Sequence, residues 1–511
     1  MIRIYRNKSY LYLFLWIVAL CLCTSCASKR LIKQEKMLCP KREFRGAWIQ
    51  TVFQDEYSVM SSASFRYTMM ERLDKLCEAG INAIVFQVRP EADAFYKSKY
   101  EPWSRFLTGT QGTPPDEPDF DPMAYLIDAC HQRNMEFHAW LNPYRVGAGG
   151  FRDFDGSHVY HQHPEWFVEY NNQILFDPGI PECRQFICLV VKDIVSRYDV
   201  DGIHMDDYFY PYPVEGKKFP DEQSFNRYGQ DYKPDRRDDW RRKNVNQLIY
   251  DVKHTILETK PWVRFGISPF GIYRNKSSYK KGSLTNGLQN YDDLYADVLF
   301  WMKEGWIDYC APQLYWETGH PRADYTTLVH WWNKQKSDIH LYIGQDVART
   351  MKFNQLNEKM RLARALKRIQ GNIFWPANEL LWNNGGVTDS LKVIYHRYPA
   401  LIPAYTHLYK RSPGKIKRLQ SQQSSWGLQL QWESPSPRKQ GGVAYYVVYR
   451  FLKGEKKDLD RSSAIYAITH EPFCAVPNDK PCTYVVTAMD RFHNESKKGR
   501  KIKVKLKKAG K

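Results

Sequence analysis

The chain has 511 residues and a formal net charge of +19, from 75 lysine and arginine residues against 56 aspartate and glutamate residues. An excess of this size suggests an acidic partner, which would be nucleic acid, membrane headgroups or an anionic polymer. The cysteines beyond residue 26 include no Cys-x-x-Cys pair with zinc spacing, and the chain has no nucleotide-binding pattern. These features argue against a structural metal and imply no cofactor.

The N-terminal segment predicts export. Basic residues at positions 3, 6 and 8 precede an apolar run from Leu11 to Leu22, which is shorter than the about 20 apolar residues that cross a bilayer. Small residues before Cys26 are typical of a bacterial lipoprotein signal. We therefore predict a signal peptide over residues 1–26 with a lipidated Cys26, and a linker over residues 27–40. An uncleaved anchor is the alternative, and Cys21 and Cys23 are weaker lipidation candidates.

The residues after Cys26 bear on location. Residues 27–30 lack the acidic run that resembles a surface-export tag in some bacterial lipoproteins. We therefore expect a lipid-anchored protein on the outer membrane that faces the periplasm rather than the cell surface. Export argues against nucleic acid as the natural partner and leaves the membrane and an anionic glycan polymer.

From residue 41 to residue 405, short apolar runs alternate with amphipathic helical stretches, the pattern of a parallel sheet with crossover helices. The eight runs are Phe44 to Gln50, Ala83 to Arg89, Glu136 to Asn142, Gly202 to Tyr208, Arg264 to Phe270, Tyr309 to Trp316, His340 to Asp346 and Asn372 to Asn378. Eight strand and helix units predict an α/β fold, a (β/α)8 barrel of the TIM type. An open doubly wound sheet is the alternative, but no glycine-rich phosphate loop follows the first strand.

The fourth run ends in adjacent carboxylates followed by aromatic residues. Period-two alternation places Gly202, His204 and Asp206 on one face of this strand, so Asp206 would point inward at its C-terminal end. Asp207 and Tyr208 then begin the loop. Paired acids beside aromatic residues also occur in helix caps and solvated loops, and this segment alone does not decide between the two interpretations.

Polar and aromatic side chains collect at the C-terminal ends of seven of the eight strands, where a barrel of this type carries its chemistry. They are Gln87 and Arg89, then His138, Trp140 and Asn142, then His204, Asp206 and Asp207, then Ser268, then Gln313, Tyr315, Trp316 and Glu317, then Gln345 and Asp346, and finally Trp375, Asn378 and Glu379. We predict that these residues form a site.

The residues after the barrel predict a separate β domain over residues 412–508. Alternating apolar positions at Leu428, Leu430 and Trp432 and a late Tyr-x-Val-x-Ala-x-Asp-like pattern from Tyr484 resemble a fibronectin type III sandwich. We expect this module to be a spacer, or to dock a protein or a glycan, and to have no chemistry of its own.

Several motifs in a fixed order carry a resemblance for the barrel. They are Arg45-Gly-Ala-Trp-Ile-Gln, Phe86-Gln-Val-Arg-Pro-Glu-Ala-Asp-Ala-Phe-Tyr, His138-Ala-Trp-Leu-Asn-Pro-Tyr-Arg, Asp201-Gly-Ile-His-Met-Asp-Asp-Tyr and Pro312-Gln-Leu-Tyr-Trp. With them the chain resembles the glycosyl-hydrolase-like 10 family over roughly residues 41 to 400. The characterised members of that family include an exported lipoprotein that cleaves peptide-free peptidoglycan strands. The resemblance implies a β/α barrel with glycosidase chemistry.

Glycosidic cleavage generally needs two carboxyl groups, one to protonate the leaving oxygen and one to act as nucleophile or to activate water. We predict Asp206 as the nucleophile or base, with Asp207 able to exchange roles with it. Glu317, at the end of the sixth strand, is the predicted acid. Asp346 and Glu379 are the alternatives for the acid.

The other predicted site residues would bind the sugar. Arg45 and Arg89 would hold a carboxylate, with buried structural salt bridges as an equal alternative. His138 and His204 would bind sugar hydroxyls or belong to the core. Trp140, Tyr144, Tyr208 and Trp316 would be sugar platforms. The remaining predicted contacts are Gln87, Asn142, Gln313, Tyr315, Trp375 and Asn378.

Location and charge favour peptide-free peptidoglycan strands as the substrate, because the lactyl groups of muramic acid are anionic and suit a basic protein. A hydrolase of dietary or host polysaccharide is the alternative in the same class. A barrel that binds carbohydrate without turnover is the alternative in a different class.

Overall fold

The computed structural model describes residues 37–424, 427–436 and 442–505. Eight parallel strands close into a barrel in chain order, with the last strand paired to the first. We number them β1 Phe44–Ile49, β2 Ala83–Arg89, β3 Glu136–Leu141, β4 Gly202–Met205, β5 Arg264–Ile267, β6 Tyr309–Cys310, β7 His340–Asp346 and β8 Ile369–Trp375. The predicted barrel class is confirmed.

Six of the eight strands end before their predicted last residue, including β4 at Met205 and β5 at Ile267, and prolines account for the early ends of the sixth and eighth. The sixth run was expected to reach Trp316, but β6 ends at Cys310 because Pro312 has no N–H for the ladder. Beyond the proline, Gln313 still forms single bridges with Phe270 and Gly344. The eighth strand ends at Trp375, directly before Pro376, and begins three residues earlier than expected.

Helices surround the barrel. Those of eight residues or more are Ser62–Glu78, Pro122–Gln132, Pro181–Arg197, Arg237–Thr259, Tyr325–Asn333 and Leu356–Ala365. Shorter α-helices are Arg105–Thr108, Val159–Gln162, Glu222–Tyr228, Asn290–Asp293, Val298–Glu304, Val347–Lys352, Ala377–Leu381 and Val387–Ser390, and Leu391–Tyr395 is a π-helix. The 3-10 helices are Tyr57–Val59, Pro164–Trp166, Pro234–Arg236, Asn384–Gly386 and Ser462–Ala464. None of the helices described is long and apolar enough to span a membrane.

Strand alternation separates the two sides of the barrel wall. Ile203 and Met205 of β4 belong to the apolar layer between the strands and the helices. Val85 of β2 and Tyr309 of β6 instead pack inside the barrel with Trp48. Each strand therefore sends alternate side chains to the helices and to the interior, as a period of two requires.

A hydrogen-bonded column of five side chains runs through the barrel interior, and we call it the polar column. Trp48 Nε1 donates to His204 Nε2 (3.2 Å), so the proton of this neutral imidazole is on Nδ1, which donates to Tyr309 Oη (2.9 Å). Tyr309 then donates to His138 Nδ1 (2.8 Å), and His138 Nε2 donates to Glu136 (3.1 Å). Burial lowers the pKa of His138 to about 4 and that of His204 well below its ordinary value, so both rings stay neutral.

Two glycines make room for the polar column. A Cβ on Gly202 would lie 2.5 Å from the ring of His138, and one on Gly266 would lie 1.9 Å from the ring of Tyr309. Both contacts are too short for any side chain larger than hydrogen. The polar column can therefore form only because β4 and β5 each carry a glycine at this level.

The C-terminal region forms a separate small β module of two antiparallel sheets. Its strands are Lys417–Ser424, Gly427–Glu433 and Phe473–Val476 in one sheet, and Val443–Leu452, Ile465–Thr469, Cys482–Asp490 and Arg500–Val504 in the other. The assignment to the fibronectin type III class stays a prediction. A further three-stranded sheet, Arg145–Gly147, Phe167–Tyr170 and Gln173–Phe176, lies in the connection from β3 to β4.

The module packs against the N-terminal ends of the barrel strands. His493 of the module donates through Nε2 to Glu136, the first residue of β3 (2.7 Å), which also accepts from Arg264, the first residue of β5. The backbone N–H of Tyr405 donates to the carbonyl of Phe492 (3.0 Å). The polar column thus ends in a contact with the module, at the face opposite the C-terminal strand ends.

Tyr309→Phe should lower the free energy of unfolding by about 3 kcal/mol, because it leaves two buried histidine nitrogens without a partner at about 1–3 kcal/mol each. Urea unfolding followed by tryptophan fluorescence measures the change. Tyr67→Phe is the matched control, because Tyr67 is exposed on its helix, and its effect should stay within about 0.5 kcal/mol. Equal unfolding midpoints for the two variants would contradict the role of the polar column.

Candidate active site

A cleft of about 400 Å³ opens at the C-terminal ends of the barrel strands. Its walls combine carboxylates, an arginine, amides and aromatic rings, the mixture that binds polar ligands with apolar faces. The lining residues are Trp48, Gln50, Val52, Phe53, Gln87, Trp140, Arg145, Asp206, Asp207, Tyr208, Tyr212, Ser268, Phe270, Gln313, Tyr315, Trp316 and Trp375. No cluster of three or more His, Cys, Asp or Glu side chains suited to a metal ion occurs among residues 37–424, 427–436 and 442–505.

Asp206, directly after β4, is buried at the floor of the cleft. Its Oδ2 accepts from Trp140 Nε1 (3.0 Å), and Asn142 Nδ2 lies 3.3 and 3.4 Å from its two oxygens. Burial raises the pKa of Asp206 above its ordinary value, and the positive charge of Arg145 and these hydrogen bonds reduce that rise without cancelling it. The donors around this carboxyl group therefore support its ionised form in a site that water reaches poorly.

Asp207 is buried beside Asp206 and has a different environment. Burial, reinforced by the negative charge of Asp206, raises the pKa of Asp207 to about 7. Tyr212 Oη donates to its Oδ2, and Gln313 Nε2 donates to its Oδ1 (3.1 Å) and to the carbonyl of Ser268 (2.9 Å). Asp207 is therefore partly protonated near neutral pH, whereas Asp206 has the positive charge of Arg145 nearby to favour its ionised form.

Aromatic rings form the sides of the cleft. Trp140 and Trp375 meet edge to face with centroids 6.1 Å apart, and Phe270 and Trp316 do so at 5.4 Å. Tyr212 also meets Phe270 edge to face. Such rings present apolar faces on which the C–H face of a sugar can stack, while the neighbouring amides and carboxyl groups remain available to its hydroxyls.

Gln87 adds an amide with an unused donor. Its Oε1 accepts from the backbone N–H groups of Thr51 (3.0 Å) and Val52 (2.9 Å). Its Nε2 is buried and has no hydrogen-bond partner among the described residues. Because both backbone contacts fix the amide orientation, Gln87 presents that Nε2 in a defined direction at the cleft wall.

The structure brings together ten of the residues predicted for the site from sequence. The cleft is lined by Asp206, Asp207, Gln87, Trp140, Tyr208, Ser268, Gln313, Tyr315, Trp316 and Trp375. Two further predicted residues support them from behind. Asn142 contacts Asp206, and His204 holds Trp48 within the polar column.

The two predicted arginines lie in ion pairs away from the cleft. Arg45, near the N-terminal end of β1, pairs with Glu43 (2.7 Å) and donates to the carbonyl of Tyr398. Arg89 makes a fully buried pair with Glu101 (2.6 Å). The alternative of structural salt bridges, which the sequence left open, is the arrangement found for both.

The remaining predicted residues also lie outside the cleft lining. Glu317 is 3.7 Å from Arg349, and Asp346 caps the helix Val347–Lys352. His138 belongs to the polar column. The others outside the lining are Tyr144, Gln345, Asn378 and Glu379.

Seven lining residues were not among the predicted site residues: Trp48, Gln50, Val52, Phe53, Arg145, Tyr212 and Phe270. Trp48 and Arg145 stand inside the motifs at strands β1 and β3, so their strand-end position was a signal. Tyr212 lies in the loop four residues beyond Tyr208, and only the folded loop brings it to Asp207.

Comparisons with known proteins agree with this architecture. The model of the family described as "Glycosyl hydrolase-like 10" matches residues 43–360. The glycosyl hydrolase YngK of Bacillus subtilis is 40% identical over 477 residues, covering 89% of this chain and 92% of that protein. The glycosyl hydrolase DigH of Escherichia coli is 38% identical over 322 residues, covering 59% of this chain and 72% of that protein.

Among solved structures, the chain is similar to the glycoside hydrolase domain of PgaB (BpsB) from Bordetella bronchiseptica. The identity is 11%, the TM-score is 0.46, and the match covers 69% of this chain and 99% of that one.

Tyr212→Phe should raise the pKa of Asp207 above about 7. The lost hydrogen bond stabilises the ionised carboxylate, and a bond to a charged group contributes about 1.5–3 kcal/mol, so a rise of about one pH unit is expected. Carbon-13 NMR titration of labelled aspartate carboxyl groups, assigned with Asp207→Asn, measures it. Tyr208→Phe, which removes a hydroxyl from the ring stacked on Tyr212, should leave the titration unchanged. A fall in pKa on Tyr212→Phe would contradict the assigned bond.

Proposed function

The chain belongs to the glycosyl hydrolase-like 10 family and is a glycosidase, and we propose that it hydrolyses a cell-envelope glycan, namely peptide-free peptidoglycan strands. One observation carries the proposal. Two adjacent buried carboxyl groups, Asp206 and Asp207, lie at the C-terminal end of β4 in a cleft walled by aromatic rings. A pair of carboxyl groups at a sugar site is the usual equipment of glycoside hydrolysis.

In the proposed mechanism, Asp207 is the acid. A group with a pKa of about 7 is protonated often enough to donate at neutral pH and leaves a stable conjugate base after donation. Asp207 would give its proton to the glycosidic oxygen as the bond breaks. Tyr212 and Gln313, which donate to its two oxygens, would then stabilise the carboxylate that results.

Asp206 would act as the charged partner, as nucleophile or base. Its hydrogen bonds from Trp140 and Asn142 fix the carboxylate orientation, and the nearby Arg145 favours its charge. A carboxylate in this position stabilises the positive charge that develops on the sugar ring during cleavage. The environments of the two aspartates thus push their protonation states apart, as paired catalytic acids require.

The acid role that the sequence assigned to Glu317 stays a prediction, and Asp207 takes that role in our proposal. Glu317 lies 3.7 Å from Arg349 and is not among the residues that line the cleft. Asp207 is in the cleft, and its burial beside a second carboxylate gives it the raised pKa that an acid needs.

We also propose that Cys26 carries a lipid anchor and that the protein faces the periplasm; Cys26 lies outside the described residues. The chain at the end of the predicted linker contacts the module at the face of the barrel opposite the cleft. The Ser462 hydroxyl donates to the carbonyl of Cys39 (2.7 Å), and Lys41 pairs with Glu495 (2.6 Å). An anchor at that end would direct the cleft away from the membrane, toward glycan strands in the periplasm.

Asp206→Asn and Asp207→Asn should each lower fragment release from amidase-stripped peptidoglycan by at least about 100-fold, the usual size of an acid or base contribution. Release is measured by chromatography of soluble fragments, with protein that lacks residues 1–26. Glu317→Gln is the discriminating variant. It should retain release within about threefold, since removing a group outside the chemistry has only a small effect.

The outcomes separate the alternatives. A loss with Glu317→Gln as large as that with Asp207→Asn would return the acid role to Glu317. If the wild-type protein releases nothing from stripped strands but cleaves another polysaccharide, the peptidoglycan proposal fails, and hydrolysis of a dietary or host glycan replaces it.

A further inference from the structure

We propose that Arg145 binds a carboxylate carried by the substrate sugar, and so selects acidic glycans in the cleft. The inference rests on the proposed function, because it concerns the same cleft. It assigns to Arg145 the binding of the acidic substituent, a role that the sequence predicted for Arg45 and Arg89.

Arg145 is held in a fixed position at the cleft wall. Its backbone N–H donates to Asn142 Oδ1 (2.8 Å), and its Nε donates to the carbonyl of Pro90 (2.8 Å). The guanidinium carbon lies 5.8 Å from the centroid of the Tyr208 ring, within the range of a cation–π contact. The side chain is therefore ordered before a ligand arrives, which lowers the entropic cost of binding.

Its positive charge acts on Asp206 but forms no direct ion pair with a carboxylate of the described residues. Among the described residues, no Asp or Glu oxygen lies within 4 Å of the guanidinium of Arg145. By contrast, Arg105, from the loop after β2, pairs with Glu91 at 2.8 Å. Neither Nη atom of Arg145 has a hydrogen-bond partner in the described part of the chain, and Nη2 is buried. A buried donor without a partner costs free energy that a bound anion would offset.

Asp206 is too well satisfied to be that anion. Its oxygens already accept from Trp140, Asn142 and the backbone N–H of Tyr208. Arg145 acts on it only as a nearby charge that lowers its pKa. The two Nη atoms of Arg145, which have no partner among the described residues, match the two oxygens of a carboxylate.

The surrounding charge favours a singly charged carboxylate over a doubly charged group such as a phosphate monoester. Asp206 and Asp207 line the same cleft as Arg145, and each ionised carboxyl group repels an anion. One guanidinium can compensate a single negative charge. A sugar ring with one carboxyl group, stacked on the aromatic walls, therefore fits the cleft better than a more highly charged sugar.

The test compares stripped glycan strands with the same strands after carbodiimide activation and borohydride reduction, which turns each carboxyl group into an alcohol. The proteins are the wild type, Arg145→Gln, Arg145→Lys and the control Arg152→Gln, all lacking residues 1–26. Arg152 is an exposed arginine that pairs with Glu169 and does not line the cleft. Thermal unfolding checks that each variant is folded.

With native strands, Arg145→Gln should lower kcat/KM by about 10- to 100-fold, mostly through KM, which corresponds to a lost charge-assisted hydrogen bond. With reduced strands, the loss should be at least about tenfold smaller, because no carboxylate remains to be bound and only the effect of Arg145 on the charge of Asp206 is left. On native strands, the kcat/KM of Arg145→Lys should lie between those of the wild type and Arg145→Gln, since lysine keeps the positive charge but lacks the two parallel donors of a guanidinium. Arg152→Gln should match the wild type on both substrates.

Two results would overturn the inference while the proposed function stands. Equal losses of Arg145→Gln on native and reduced strands would mean that Arg145 acts only on Asp206. A wild-type protein that cleaves both kinds of strand equally well would show that no carboxylate is recognised, even if Arg145→Gln does not fold. Absence of cleavage of either substrate by the wild type would instead reject the proposed function.

Discussion

The polar column through the barrel interior is the constraint on which the cleft depends. Each side chain of the polar column is fixed by its neighbours as a hydrogen-bond donor or acceptor, because Trp48 can only donate and Glu136 accepts. The two imidazoles must therefore be neutral and in single tautomers, which their burial enforces. Since the Ser268 hydroxyl also contacts His204 (2.9 Å), the polar column orients groups from two strands at the cleft floor. An interior of this kind specifies one arrangement, because any missing partner leaves a buried polar group unsatisfied.

The structural arginines differ from the arginine of the cleft in whether a carboxylate compensates their charge. Around the strand ends most arginines are matched to a carboxylate, as in the buried pairs Arg89 with Glu101 and Arg241 with Asp221. Such pairs fix loops and carry no free charge to a ligand. The charges that line the cleft are not balanced, because two adjacent aspartates lie there with one arginine that forms no ion pair with them. Burial of this local imbalance gives Asp207 its raised pKa and leaves Arg145 open to an external partner.

The two ends of the barrel have different roles. At the N-terminal strand ends, Glu136 receives Arg264 and His493, so the module closes this end of the barrel through buried polar contacts. At the other end, loops of unequal length leave the cleft open. This division follows from parallel strands, whose C-terminal ends all meet at one edge and bring side chains from many loops together.

The sequence by itself determined the order of the strands, the barrel and the place of the aspartate pair, because apolar alternation and strand order are local properties. It could not decide which charged residues were already neutralised. Arg45 and Arg89 were expected in the site, yet Glu43 and Glu101 hold them as structural pairs, whereas Arg145 lines the cleft. Only the tertiary structure settled this, because a side chain's burial and partners depend on loops distant in sequence. The same reason explains Tyr212, which a folded loop brings onto Asp207.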